Sequence, residues 1–430
     1  MCYSIPGKVE NIQKNIVTVD YFGEKKKAIN EIDDLKIGDY IYAQGGYVIK
    51  NIPQEEAFSI LSVWKETFFE LQEVDLQLSR LEVEKKGISK NLLKILDNAV
   101  EEKKLNDEQL LYLLELENAD ELNILYKTAN FLRHKHLGNS CCVHGILEFS
   151  NYCKRNCFYC GISNHNASIE RYRMTKEEIL KNAEKAVNEL SFQTLVLQCG
   201  EDSGFDIDSL VDLIKEIKSR LQVLIFISVG EIGLKELELL YEAGARGLLM
   251  RFETSNSSLY QKLHPNYSLQ NRISHIEKAY KLGYLVITGS LIGLPDQTDL
   301  DLLNDIKLAK SLNAEMYSFG PFIPHPFTPL KNFNSPKVTK ILKVLALTRI
   351  LDPQNAKILV TSAFETIEPE ARKLGLMAGA NSIMLNATPK EYKKHYQIYP
   401  GRVYNDIDIK EQIDGTISML RSLGRSPTDL

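Results

Sequence analysis

The chain lacks any apolar run long enough to cross a bilayer. Its longest, such as residues 223–229, fall well short of the roughly 20 residues a spanning helix needs. The opening Met-Cys-Tyr-Ser-Ile-Pro-Gly has no charged leader followed by an apolar stretch, so no secretory signal is expected. Positive charge is not in excess: 52 Lys and Arg face 57 Asp and Glu, a net charge of −5. No basic run interleaved with aromatics occurs, which argues against a nucleic-acid partner. Cysteine is scarce. There are seven, an odd number, and none follows Cys199. An odd count with three residues in one short motif excludes a disulfide framework and points to a reducing, cytoplasmic setting.

The three grouped cysteines are the main positive signal. Asn151-Tyr-Cys-Lys-Arg-Asn-Cys-Phe-Tyr-Cys-Gly161 places Cys153, Cys157 and Cys160 in a C-x3-C-x2-C pattern. Three thiolates hold three irons of a [4Fe–4S] cluster and leave the fourth open to a small molecule. Structural zinc is the alternative, but it commonly takes four ligands in paired C-x2-C units, and no second pair exists here. The spacing resembles the radical S-adenosylmethionine (SAM) superfamily. That resemblance implies SAM chelated at the open iron, reductive SAM cleavage and release of a 5′-deoxyadenosyl radical. Such a cluster is oxygen-sensitive, so an anaerobic setting is expected.

Hydrophobic patterning divides the chain. Up to about residue 70, short alternating stretches (8–12, 16–21, 28–29, 40–43, 47–52) are broken by Gly7, Gly23, Gly38 and Gly45-Gly46. They predict a small, OB-like β-barrel. Pro53 opens a helix whose Ala57, Ile60, Leu61, Trp64 and Phe68 pack on it, with Trp64 as a core anchor. Residues 71–92 read as an extended or helical linker and 91–140 as two or three helices, one starting near Leu105-Asn-Asp-Glu-Gln. Residues 93–430 form the second domain. From residue 146, apolar segments at 146–149, 194–198, 223–229, 247–252, 285–291, 316–319, 357–361 and 382–385 alternate with helical patterns. Thr175-Lys-Glu-Glu178 is a capping box for the first of these helices. The fold class is therefore α/β, a TIM-type (β/α)8 barrel.

Such barrels do chemistry at the C-terminal strand ends, and the cysteine loop follows the first strand. Other strand ends carry Gln198, Glu201, Ser228, Arg251 and Glu253, with Arg272 on a following helix. SAM presents an ammonium, a carboxylate, a sulfonium and a ribose diol. The Gln198–Glu201 edge suits the ammonium, Arg251 or Arg272 the carboxylate, Glu253 the ribose or the sulfonium surroundings, and Tyr159 the adenine. Barrel-mouth salt bridges, such as Arg251 with Glu253 or Glu201, are the alternative use. Cys199 reads as a small buried residue. Cys141 and Cys142 read as structural residues ahead of the first strand, and His325 as either a cavity or a loop residue.

Further stretches carry a closer resemblance. Glu148-Phe-Ser-Asn-Tyr-Cys, Arg251-Phe-Glu-Thr-Ser-Asn, Leu263-His-Pro, Gly293-Leu-Pro-Asp-Gln-Thr, Gly320-Pro-Phe-Ile-Pro-His-Pro-Phe-Thr-Pro, Ala346-Leu-Thr-Arg and Tyr396-Gln-Ile-Tyr-Pro-Gly401 resemble the HydE family of [FeFe]-hydrogenase maturases. Biotin and methylornithine synthases are relatives that match less well. The resemblance, over about 93–425, implies a substrate that is a small iron complex with carbon monoxide, cyanide and cysteine. It implies Thr361, Ser362, Tyr396 and Tyr399 near that substrate, and a reductant such as ferredoxin or flavodoxin. Three departures stand out. Phe252 replaces a polar ring, His144 replaces an arginine, and the absence of later cysteines implies a single cluster.

Met1-Cys-Tyr-Ser-Ile-Pro-Gly-Lys-Val resembles the HypC/HupF hydrogenase-assembly chaperones. That implies an iron fragment held by Cys2, and hydrogenase maturation proteins as partners. The family's histidine falls at Gln44, which leaves metal carrying and docking both open. The leading expectation is a radical SAM enzyme of hydrogenase cofactor assembly. The rivals are an amino-acid-like organic substrate, or a non-catalytic iron-fragment scaffold.

Overall fold

A computed structural model describes residues 5–82 and 87–428. Cys2 lies outside the described residues. Strands β1 (Gly7–Gln13), β2 (Ile16–Tyr21), β3 (Glu24–Ile29), β4 (Tyr40–Gln44) and β5 (Tyr47–Ile52) close into a small barrel in the order β1-β2-β3-β5-β4. Alternation puts Val17, Val19 and Tyr21 inside, with Val9, Ile41 and Val48. Helix α1 (Gln54–Leu78) starts at Pro53, as the sequence implies, and lays Phe68, Leu61 and Trp64 on this core.

Helix α1 does not stop near residue 70. It continues to Leu78 and carries Asp75 into a buried ion cluster. Asp75 receives Arg133 at 2.6 and 2.8 Å, His134 at 2.7 Å and Arg425 at 3.1 Å. Both guanidinium groups are fully buried. A Cβ on Gly424, whose φ is +67°, would lie 2.2 Å from the Asp75 amide, so only glycine lets the C-terminal segment approach α1 this closely. Helices α2 (Lys90–Val100), α3 (Asp107–Glu115) and α4 (Ala119–Leu137) follow, α3 opening on an Asn106/Gln109 capping box.

The second domain is the expected parallel barrel. Strands β6 (Ser140–Ser150), β7 (Thr194–Cys199), β8 (Leu224–Ser228), β9 (Gly247–Leu249) and β10 (Leu285–Thr288) run in sequence order. Met316–Tyr317, Lys357–Val360 and Ser382–Asn386 complete the eight, and the last pairs with β6 to close the ring. The Thr175/Glu178 capping box is present. Strand β6 is longer than expected and takes in Cys141 and Cys142 at its buried start. His144 and Gly145 mask this stretch in the sequence, because they point at neighbours that tolerate a polar ring and a missing side chain. No helix of the described residues is long and apolar enough to cross a membrane.

Burial works against the Asp75 carboxylate, but His134, Arg133 and Arg425 outweigh it and hold its pKa down to about 2. A depressed carboxylate stabilises fully above its unfolded pKa of about 4, and that contribution is lost as pH falls toward 2. Asp75→Ala leaves two buried cations unpaired and is expected to cost about 3–5 kcal/mol in denaturant unfolding at neutral pH. A loss below about 1 kcal/mol would contradict the assigned role.

Candidate active site

The cysteine loop leaves β6 and is held by backbone bonds to three other segments. Lys154 N donates to Glu201 O, Phe158 N to Leu263 O, and Gly161 N to Ile398 O. Arg171 donates to the carbonyls of Asn151, Ile162, Ser163 and Asn166, so one guanidinium satisfies a loop that has no sheet partner. A Cβ on Gly200 would stand 2.2 Å from Tyr152 O and 2.7 Å from Cys153 Cβ, so the loop seats directly on the end of β7. His325 packs against Gly161, and its Nδ1 accepts from the Phe327 amide at 3.3 Å.

One cavity of about 290 Å³ at the C-terminal strand ends gathers the residues singled out from the sequence. Cys153, Cys157, Cys160, Tyr159, Gln198, Glu201, Ser228, Arg251, Glu253 and Arg272 line it, as do Thr361, Ser362, Tyr396 and Tyr399. Cys199 also reaches its edge. Two departures lie elsewhere. The Phe252 ring is fully buried in the layer between strands and helices, because β9 ends at Leu249 and the chain turns through Glu253 at φ +70°. His144 packs on Phe226 toward the opposite end of the barrel.

Charge in the cavity is paired. Arg155, inside the cysteine motif, meets Glu201 at 2.6 Å and Glu231 at 2.5 Å, and lies 3.8 Å over the Tyr267 ring. Arg272 adds Glu231 at 3.1 Å and Glu201 at 3.6 Å, and its Nε donates to Arg251 O. Burial opposes the Glu231 carboxylate, but Arg155 and Arg272 hold its pKa below the usual range. Arg251 meets Glu253 at 3.1 Å, the salt bridge weighed above. Deeper, Arg402 grips Glu148 with bonds of 2.7 and 3.1 Å, and Asn386 adds a third at 2.8 Å. Arg155, Glu231, Glu148 and Arg402 were not singled out as site residues. Two sit in quoted motifs, but their partners lie far along the chain.

The donor set suits a cluster and a zwitterionic ligand. Among the described residues, no three His, Cys, Asp or Glu side chains converge on one ion. Cysteines that hold a cluster each bind a different iron and stand apart. Burial pushes the Cys157 thiol up to about 12, with Cys153 adding to the rise, so a metal bound there would have to displace its proton. Several buried polar atoms in the cavity lining keep no hydrogen-bond partner: Glu201 Oε2, Thr361 Oγ1, Glu253 Oε2 and the Arg155 guanidinium nitrogens, although Arg155 and Glu253 stand within ion-pair distance of opposite charges. Buried polar atoms of this kind mark places for a ligand. His264 holds the Tyr159 hydroxyl at 2.8 Å; burial lowers its pKa to about 3, so the ring stays neutral.

Glu148→Ala leaves Arg402 buried and unpaired, and is expected to cost about 3–5 kcal/mol in denaturant unfolding. Adding Arg402→Met should recover part of that loss. A double variant as unstable as the sum of the two singles would show that the pair is not coupled.

The chain matches the radical SAM superfamily over residues 147–309, the HupF/HypC family over 1–64, and the biotin and thiamin synthesis associated domain over 318–426. It is 42% identical over 303 residues to the [FeFe] hydrogenase maturase subunit HydE of Thermotoga maritima, covering 70% of this chain and 86% of that one. It is 29% identical to the 3-methylornithine synthase of Methanosarcina acetivorans over 80% of this chain and 96% of the other. The crystal structure of methylornithine synthase superposes with a TM-score of 0.69 at 27% identity, covering 77% of this chain and 97% of that one. HydG of Carboxydothermus hydrogenoformans, at 21% identity and a TM-score of 0.66 over 84% of each chain, shares the fold. With the cysteine loop, the parallel barrel and this level of identity together, the chain belongs to the HydE family of radical SAM [FeFe]-hydrogenase maturases.

Proposed function

We propose that Cys153, Cys157 and Cys160 hold one [4Fe–4S] cluster, and that this chain cleaves SAM there while acting on a small iron complex bearing carbon monoxide, cyanide and cysteine. The observation that carries this reading is the single cavity shared by the three cysteines, a ring of paired charges and an unpartnered Thr361 hydroxyl. The cluster, when bound, supplies the electron that cleaves SAM. The protein's part is to bind and orient. Glu201 Oε2 has spare acceptor capacity for the SAM ammonium, next to the Gln198–Gly200 edge. Arg251 and Arg272 offer guanidinium groups to the carboxylate. Glu253 and Ser228 would face the ribose, and Tyr159, fixed by His264, would lie beside the adenine; all three line the cavity.

The hydroxyl-bearing residues of the cavity fit the second ligand. Thr361 Oγ1 is free to donate, and Ser362 and Tyr399 already share a 2.7 Å bond that orients both hydroxyls. Arg402 lies 5.5 Å from the Tyr396 ring centre and 5.7 Å from that of Tyr399, which gives this group a positive bias without an unpaired cation. Cyanide and carboxylate groups are the acceptors such residues suit. The external reductant is a ferredoxin or flavodoxin, and the HypC-like module directs the enzyme to hydrogenase maturation proteins. Iron carriage at Cys2 rests on the sequence of the module alone.

An amino-acid substrate is the second reading, supported by the match to 3-methylornithine synthase over nearly all of that protein. Phe252 does not bear on the choice, since its buried ring lies outside the cavity lining. Membership of an enzyme family sets the scaffold reading aside.

Anaerobic reconstitution with iron and sulfide, reduction by dithionite, and a 5′-deoxyadenosine assay test the proposal. Cleavage should occur in the native chain and vanish in Cys157→Ala. A synthetic iron–carbonyl–cyanide–cysteine complex should stimulate it, whereas ornithine and lysine should not. Thr361→Val should weaken that stimulation about tenfold and leave the cluster content unchanged. Stimulation by an amino acid alone would move the assignment to the second reading.

A further inference from the structure

The end of the barrel opposite the active site is closed by the N-terminal module. The β4–β5 turn, Gln44-Gly45-Gly46, enters the N-terminal mouth of the parallel barrel. Gln44 is 1% exposed and its amide donates to Gln193 Oε1, one residue before β7, at 2.9 Å. A Cβ on Gly45 would stand 2.8 Å from Leu224 and 2.9 Å from Leu285, the first residues of β8 and β10. With φ at +55° and +83°, the two glycines make the turn narrow enough to fit. Tyr47 packs with Cys142, Leu224, Phe226 and Ile287 of the barrel interior, not with the core of its own module. At the rim Arg246 holds both oxygens of Glu31 at 3.0 Å, and the Tyr47 hydroxyl reaches Gly283 O at 3.4 Å.

Above the turn the interior is filled. Leu359 and Met384 line the catalytic cavity and also belong to the apolar cluster that Tyr47 joins. Val196, Phe226, Ile287 and Met316 belong to the same cluster. The space left inside the mouth, lined by Gln44, Gly45, Cys142, His144 and Lys357, is about 10 Å³. That is room for about one water molecule. A cleft of about 460 Å³ lined by Glu31, Val48, Lys218 and Arg246 lies outside the mouth, at the rim. The module is also fixed at its far end, where α1 brings Asp75 to Arg133 and Arg425.

We propose that the N-terminal module is a stopper for the lower mouth of the barrel, so that the catalytic cavity has one door, beside the cysteine loop. Substrate enters and product leaves on that side. Nothing larger than water passes through the barrel to the module, and the module does not swing as a carrier on a free linker. This inference rests on packing and stands apart from the assignment of cluster, SAM or substrate.

Cys142 is a built-in reporter. It lies at the seam, 4% exposed, while Cys141 is fully buried in the layer facing the helices. The full chain is exposed to N-ethylmaleimide under native conditions, and each cysteine is followed by tandem mass spectrometry. In the native protein Cys142 should stay unmodified over a time in which the urea-unfolded chain reacts fully. Gly45→Arg, which cannot fit between Leu224 and Leu285, should speed its modification about tenfold or more while Cys141 stays protected. If Cys141 reacts as well, that variant has unfolded, and Tyr47→Ala decides, because it loosens the seam and leaves the module's own core intact. Native Cys142 reacting as fast as in a folded seam variant would overturn the proposal. So would seam variants that stay folded and leave Cys142 as protected as in the native chain.

Discussion

Buried charge must be neutralised locally, and the active end of this molecule is organised around that constraint. Glu148, Glu201, Glu231 and Glu253 meet Arg402, Arg155, Arg272 and Arg251 around one cavity. Isolated, each would be costly to keep ionised in so dry a place. Paired, they form a fixed field of dipoles at strand ends that come from distant parts of the chain. Arg155 belongs to the cysteine motif, Glu201 to the end of β7, Glu231 to the loop after β8 and Arg272 to a later helix. The same ion pairs therefore set the position of the cysteine loop and the polarity a zwitterionic ligand would meet. Spare valences such as Glu201 Oε2 and Thr361 Oγ1 are left over for ligands.

The second buried ion cluster works on architecture. Asp75 ties α1 to α4 and to the C-terminal segment, which makes the HypC-like unit part of the enzyme's body. A fusion of two assembly-related modules would otherwise read as a tether that raises effective concentration. A closed lower mouth gives the fusion a different physical use. The module closes the lower mouth of the barrel to solutes larger than water.

Most of the fold is legible in the sequence, because parallel strands buried on both faces read as short β-branched runs between amphipathic helices. The runs at 194–198 and 382–385 fall within one residue of strands Thr194–Cys199 and Ser382–Asn386. Residues 140–145 escaped notice, since Cys141, Cys142, His144 and Gly145 lack the aliphatic signature. The continuation of α1 escaped it too: Asp75 looks like a solvated charge until Arg133 and Arg425 are seen around it. In the site, residues announced by motif spacing or by strand ends lie on the cavity. Those defined by a partner hundreds of residues away, such as Glu148 with Arg402, do not show in one dimension. Phe252 is a departure from the family motif, but β9 ends three residues before it and its ring is buried outside the cavity lining, a placement that a motif comparison does not show.

The central claim is that three cysteines leave one iron open for SAM beside the Glu201 and Arg272 network. Pulsed electron–nuclear double resonance on the reduced, reconstituted protein tests it directly, using SAM labelled with 15N at its ammonium and 13C at its carboxylate. The account predicts hyperfine coupling of both labels to the cluster. A reduced cluster whose spectrum shows neither coupling at saturating SAM would contradict it.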